Sequence, residues 1–351
     1  MSARRPNGYV SFVAAITVGV LALAVLMFAR AHDSLRPAMR RLDMQVQLET
    51  AAQSAEARVA YLLATEPLSG AAIVVGGERG LAPGEQIPLS QNRNAAGGSV
   101  RHVALDGRAY AWDATLISVQ DEAGLLNLNT PDEQAVAALL TASGLSAYDA
   151  PWLAATLADY VDEDSERRPG GAETLDYDTG GTALNAALPA PRAALSAYGW
   201  RDSVAARTRQ TFFAWTSTAP DVSGVNINTA PAEVIEAALG ASPTQAQAIV
   251  AQRQRQLFRS PEDAQAILGV SARAESAQPS IAPDAHFRII VQLPDRADAV
   301  GWVYESQLVV ARGTGERPVY WRQGVVRRAE GVARGQSNGV EALPTGAGVS
   351  S

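Results

Sequence analysis

The stretch "ADYVDEDSERRPGGAETLDYD", residues 158 to 178, gathers Asp159, Asp162, Glu163, Asp164, Glu173, Asp176 and Asp178 around a Gly-Gly turn, with Arg167 and Arg168 as local counter-charges. Carboxylates are hard oxygen donors, so together they can bind a cation or exchange protons. Oxygen-only ligands at irregular spacing suit Ca2+ better than zinc or copper. The Asp-x-Asp-x-Asp-Gly spacing of an EF-hand is absent, so a plain solvated acidic loop is the competing reading. Glycosidase-type work by paired carboxylates needs a substrate cleft, and nothing in the sequence supplies one.

The rest of the inventory removes other chemistries. The chain has no Cys, which excludes disulfides, thiolate nucleophiles and Cys-based zinc sites. It has no Lys either, all 29 basic residues being Arg, so a Walker-type phosphate loop and a Schiff-base enzyme are both out. His32, His102 and His286 form no metal-ligand spacing. A net charge of −7 without a basic run argues against nucleic acid as a partner. With 351 residues, 47% of them hydrophobic, there is room for two or three domains.

The elements that must position the acidic stretch begin with "YVSFVAAITVGVLALAVLMFA", 21 uncharged residues from Tyr9 to Ala29. As a helix this run is roughly 32 Å long, enough to span a bilayer and longer than the apolar part of a secretory signal. After it, Leu35, Met39, Leu42 and Val46, then Ala52, Ala55, Val59 and Leu62, recur at spacings of three and four. That spacing predicts an amphipathic helix over 30–66, with a kink or restart at Pro37. Residues 76–98 read as a Gly- and Asn-rich loop, and 108–120 as a strand. Strand character returns at 287–293, 300–312 and 319–328, so the expected architecture is α+β: a long helix on an antiparallel sheet, interrupted by a helical insertion. The division predicted is 1–8 leader, 9–29 transmembrane helix, 30–66 amphipathic helix, 67–120 first part of the sheet domain, 121–284 inserted helical domain, 285–330 closing strands and 331–351 disordered tail.

Within the insertion a pattern repeats: "GLLNLNTPDEQAVAALL" from 124 and "GVNINTAPAEVIEAALG" from 224, with Asn127 and Asn226 lying 99 residues apart. Each copy has an Asn-x-Asn-Thr turn whose Thr or following residues can cap a helix, then Pro, then an apolar helix and a second helix. Both are helix-hairpin-helix units. DNA-binding versions use Gly-apolar-Gly so that backbone amides approach phosphate, whereas these hairpins read Gly144-Leu145-Ser146 and Gly240-Ala241-Ser242. Arg253 and Arg255 supply some positive charge near the second unit. The units are therefore read as packing modules, with a membrane-anchored DNA receptor of the competence type as the alternative.

"MSARRPNGYVSFVAAI" resembles a type IV prepilin leader, a short basic segment ending in Gly8 before an aromatic residue and an apolar helix. The resemblance implies cleavage between Gly8 and Tyr9 by a prepilin peptidase, methylation of Tyr9, and a single-pass inner-membrane protein with its C-terminal domain in the periplasm. Pilins carry Glu at the fifth mature position; here it is Val13. Such a Glu pairs with a neighbouring subunit's terminal ammonium, because an unpaired charge in hydrocarbon is expensive. A chain lacking it belongs at a filament end.

The leader, "DEAGLLNLNT", "LADYVDED…GGAE…Y", "VNINTAPAEV" and "YESQLVVAR", in that order, resemble the type II secretion minor pseudopilin K family, also called general secretion pathway protein K. That resemblance implies a pseudopilin fold with a large inserted helical domain, a place at the tip of a periplasmic pseudopilus, and a complex with the minor pseudopilins I and J. It extends the partners to secreted substrates and the outer-membrane secretin, and implies no enzymatic activity. It also implies calcium in the helical domain, carried over here to Asp159, Asp162, Asp164, Glu173 and Asp176. Tyr160 stands where the family has Trp.

Overall fold

The computed structural model describes residues 7–76, 101–130, 132–177, 181–220, 222, 224–269, 278–294, 301–310, 319–321, 324–328 and 340–344. Helix α1 runs from Asn7 to Thr65 and continues through Pro37, so the expected kink or restart is not a break. Along the apolar run, which is long and apolar enough to cross a membrane, Tyr9 to Phe28 present exposed side chains. From Met44 onward one stripe is buried, formed by Met44, Leu48, Ala52, Ala55, Val59, Leu62 and Leu63. Each buried Leu or Met contributes about 2 kcal/mol to holding the helix down.

The stripe corrects the first half of the expected face. Leu35, Met39, Leu42 and Val46 are all more than half exposed. At 100° per residue they lie roughly 150° round the helix from Ala52, Ala55, Val59 and Leu62. Two stripes with the same local spacing were therefore read as one, although only Met44 and Leu48 continue the second.

The sheet is antiparallel. Strands β3 (Asp106–Trp112) and β4 (Thr115–Asp121) form a hairpin, and β9 (His286–Gln292) and β10 (Trp302–Val310) continue it in the order β3, β4, β9, β10. The single strand expected at 108–120 is thus two, folded back at Asp113, which takes the left-handed conformation (φ 49°) that a short polar side chain tolerates. The last expected strand is likewise in two pieces, β11 (Val319–Trp321) and β12 (Val325–Arg328), both paired to β10. Before the sheet, β1 (Ala72–Val75) and β2 (Arg101–Ala104) make a small ribbon that the sequence pattern did not reveal. The loop expected at 76–98 lies outside the described residues beyond Gly76.

Alternation of side chains divides the sheet's two faces. Ile117, Val119, Phe287, Ile289, Val291, Tyr304, Leu308 and Val310 join the α1 stripe in one core. The opposite face offers Arg288, Glu305 and Gln307 to the chain between β4 and β9. That chain is mostly helical and holds a second core: α2 (Glu133–Ala142), α3 (Ala150–Val161), α4 (Trp200–Ser203), α5 (Ala206–Ala214), α6 (Ala232–Leu239), α7 (Pro243–Arg255) and α8 (Pro261–Leu268). Its centre is Trp200, Phe212, Leu139, Leu153, Ile227 and Ile235.

The disordered tail expected at 331–351 needs correction at 340–344. Leu343 is buried against the α1 core, its N–H donates to the Ala111 carbonyl at 2.8 Å, and Arg58 donates to the Pro344 carbonyl at 2.7 Å. One Leu in a polar stretch leaves no periodic signal, so only the fold reveals the anchor. The rest of that tail lies outside the described residues.

Candidate functional site

The two Asn-x-Asn-Thr copies are built alike. In each, a two-residue strand pairs in parallel with a distant one: β5 (Leu126–Asn127) with β6 (Thr216–Ser217), and β7 (Val225–Asn226) with β8 (Pro279–Ser280). In each, the first Asn accepts from the backbone of the second, Asn129 to Asn127 at 2.9 Å and Asn228 to Asn226 at 3.0 Å. The amides then reach across the fold. Asn129 donates to the carbonyls of Leu188 and Thr218 and accepts from the Leu188 N–H. Asn228 does the same to Phe258 and Ile281, accepting from the Phe258 N–H. Each Asn thus satisfies buried backbone groups that would otherwise cost about 1–3 kcal/mol apiece. Asp132, not Thr130, caps α2 by accepting from the backbones of Gln134 and Ala135. Arg253 is likewise committed, donating to the Ile227 and Ala230 carbonyls.

The second copy also reaches the sheet. Asp121, fully buried at the end of β4, accepts at Oδ1 from the N–H groups of Ala123 and Asp284, and at Oδ2 from Asn226 Nδ2 (2.8 Å) and Thr229 Oγ1 (2.9 Å). Asn226 donates as well to the Gly70 carbonyl. Thr229 therefore holds the sheet rather than a helix start. Burial pushes the Asp121 carboxyl up to about 6, against the pull of those four bonds. Asp121 and its neighbour Glu122, which accepts from Ser217 Oγ and Gln307 Nε2, lie outside the acidic stretch and fit no metal-ligand spacing in the sequence. Their one signal was a pair of acids between an apolar strand and an apolar turn.

The acidic stretch leaves the end of α3. Asp159, fully buried on the last turn, accepts from the Arg168 backbone and from its guanidinium, and Arg168 also reaches Asp162 and lies 3.5 Å from Glu133. Gly170 has φ +82°, and a Cβ on Gly171 would fall 1.9 Å from Asp159 Oδ2, so the Gly-Gly turn is what lets the loop close over that carboxylate. Asp176 is held by Arg167 at 3.1 Å and accepts from the Glu173 N–H at 2.9 Å. Asp159 and Asp176 thus shape the loop from either end.

The remaining three acids converge. Asp162, Asp164 and Glu173 each present an oxygen within 4.8 Å of the others. Glu173 is 6% exposed, and neither of its carboxylate oxygens has a hydrogen-bond partner; Asp162 Oδ1 is buried and unpartnered too. Burial, then the negative charges of Asp159 and Asp162, raise the Glu173 carboxyl above the ordinary range. Asp164 is exposed, and its Oδ1 accepts from the Glu166 N–H at 2.7 Å; buried, unpartnered oxygens of Glu173 and Asp162 beside that exposed carboxylate suit a divalent cation of the calcium type. Glu163 is exposed and outside the group, and Asp178 lies outside the described residues. So do residues 1–6 of the leader; Tyr9 and Val13 are on the bare part of α1.

Two family models, both described as type II secretion system (T2SS), protein K, match the chain, one over residues 116–216 and the other over 225–282. Among solved structures, a chain of the crystal structure of the GspK-GspI-GspJ complex from the enterotoxigenic Escherichia coli type 2 secretion system has the same fold, with a TM-score of 0.52 at 15% identity. The alignment covers 83% of this chain and 98% of that one. No curated protein matches in sequence.

Proposed function

We propose that this chain, a member of the type II secretion system protein K family, is the minor pseudopilin that initiates and caps the pseudopilus and so helps export folded proteins across the outer membrane. The observation that carries the terminal position is Val13. A subunit with an apolar side chain there offers no carboxylate to the terminal ammonium of a subunit stacked above it, so growth continues only below. The exposed stripe of Leu35, Met39, Leu42 and Val46 is the surface a neighbouring subunit's helix would cover, beside the exposed span of the same helix. In this reading the helical segment between β4 and β9 is a domain inserted into a pseudopilin fold, too bulky for the shaft. The minor pseudopilins I and J are the subunits directly below.

The calcium assignment belongs to the same proposal. Asp162, Asp164 and Glu173 would hold the ion, which would supply the positive charge that the buried Glu173 carboxylate lacks. Arg167 and Arg168 clamp Asp176 and Asp159, and Arg168 also holds Asp162, so the loop arrives with one oxygen each of Asp162, Asp164 and Glu173 already turned together. The role is structural: the loop is fastened to α3, and the fastened surface is what a secreted substrate or the secretin would meet.

The test is assembly. Coexpression of the full chain with prepilin peptidase and the cognate minor pseudopilins should yield a chain beginning at methylated Tyr9 that copurifies from inner membranes with both partners. A chain left uncleaved, or one recovered alone while its partners pair with each other, would sink the reading.

A further inference from the structure

A cleft of about 190 Å3 opens where the helical segment meets the sheet face turned away from α1. Its walls are the Pro189–Arg192 turn on one side and β10 and β12 on the other, and three guanidinium groups converge on it: Arg192, Arg288 and Arg327. Two carboxylates, Glu122 and Glu305, face them. Arg288 is fully engaged, donating to the Phe213 and Thr216 carbonyls and lying 3.6 Å and 3.5 Å from Glu122 and Glu305. Arg327 shares Glu305 through Nε, but its Nη1 is buried with no partner. Arg192 stacks over Phe213 at 5.3 Å and makes no ion pair among the described residues. Burial and the positive charge of Arg327 lower its pKa, against the pull of Glu305, as expected of a cation held near like charge.

Among the described residues lining the cleft one positive charge is therefore in excess, in a molecule whose net charge is −7. An acidic group repelled elsewhere on this protein finds its attraction here. Val325, 63% exposed, and Pro191 give the same cleft an apolar lip. Strand β12 lies on the outer side of β10, and among the described residues no other strand pairs with it; an unpaired edge of this kind is a template for an extended chain. We propose that this cleft binds an extended peptide segment of another protein, with a carboxylate side chain between Arg192 and Arg327 and an apolar neighbour against Val325. The forked guanidinium geometry favours a carboxylate. The inference stands independently of the chain's place in the pseudopilus.

Ligand-observed NMR on the full chain in detergent tests it, with N-acetyl-Leu-Asp-Leu-amide as the probe, its Asn counterpart as the neutral control and inorganic phosphate as the simple anion. The Asp peptide should bind in the millimolar range or tighter, at least tenfold better than the Asn peptide and better than phosphate. Arg192→Gln should weaken it about tenfold while lowering the unfolding temperature by no more than a few degrees, because among the described residues Arg192 makes no hydrogen bond and touches the fold through its stack over Phe213. Arg327→Gln should weaken it as well, and Arg201→Gln, outside the cleft, should not. Equal binding of the Asn peptide, binding of phosphate as tight as that of the Asp peptide, or indifference to Arg192→Gln would each overturn the assignment.

Discussion

Asp121→Ala is expected to lower stability by about 3 kcal/mol at neutral pH and to uncouple the sheet from the helical segment. The substitution leaves the N–H groups of Ala123 and Asp284, the Asn226 amide and the Thr229 hydroxyl without their shared acceptor in a fully buried place. Each such loss costs about 1–3 kcal/mol, partly recovered where Asn226 keeps Gly70 and Thr229 keeps the Asn226 carbonyl. Because two separate cores meet at this carboxylate, thermal unfolding should broaden or split. The pH dependence has a definite sign. Burial raises the folded carboxyl to about 6, so between about pH 4 and pH 6 the folded state binds more protons than the unfolded one. The group's contribution is fully present below that window and falls as pH rises through it. The gap between parent and variant should therefore be wider at pH 4 than at pH 7. An unchanged melting curve, or a gap that widens with pH, would contradict the hub.

The second large effect concerns the cation. Ca2+ at a hundred times its dissociation constant should stabilise the protein by about 2.7 kcal/mol, removed by a chelator. Glu173→Gln keeps the shape of the side chain but takes its charge away from the three converging oxygens, and affinity should drop roughly a hundredfold. Glu163→Gln, one residue from Asp162 in sequence but exposed, should leave affinity within about threefold. Calorimetric titration of the three proteins after chelator treatment decides it. Equal losses for both variants would mean that the run of acids binds calcium diffusely. No saturable heat with the parent protein would remove the site.

Both predictions depend on contacts that sequence spacing hides to different degrees. The α2–α3 and α6–α7 hairpins were legible because their apolar periodicity, Pro starts and Gly turns are local signals. The repeated Asn-x-Asn-Thr was legible as a repeat, and its use as scaffold was the reading made from the missing second Gly in each hairpin. What the Asn side chains hold was not legible, since their partners lie 59 residues away for Asn129 and Leu188, and 156 for Asn226 and Gly70. Among the acids, the stretch gathers seven carboxylates and the family resemblance carries five of them to a calcium site, but neither says which of the five converge. The sorting comes from the fold: Arg167 and Arg168 engage Asp176 and the fully buried Asp159, while Asp162, which shares Arg168, still presents an oxygen to Asp164 and Glu173. The α1 face was misphased for a simpler reason: Leu35 to Val46 repeat at helical spacing on a side of the helix that this chain alone does not cover.

The most direct test of the account is where the protein sits on the filament. Pseudopili assembled with this chain carrying a small epitope at an exposed site, labelled with gold-conjugated antibody and viewed by electron microscopy, should show label at one end only. Label repeated along the shaft would contradict the tip assignment and the meaning given to Val13.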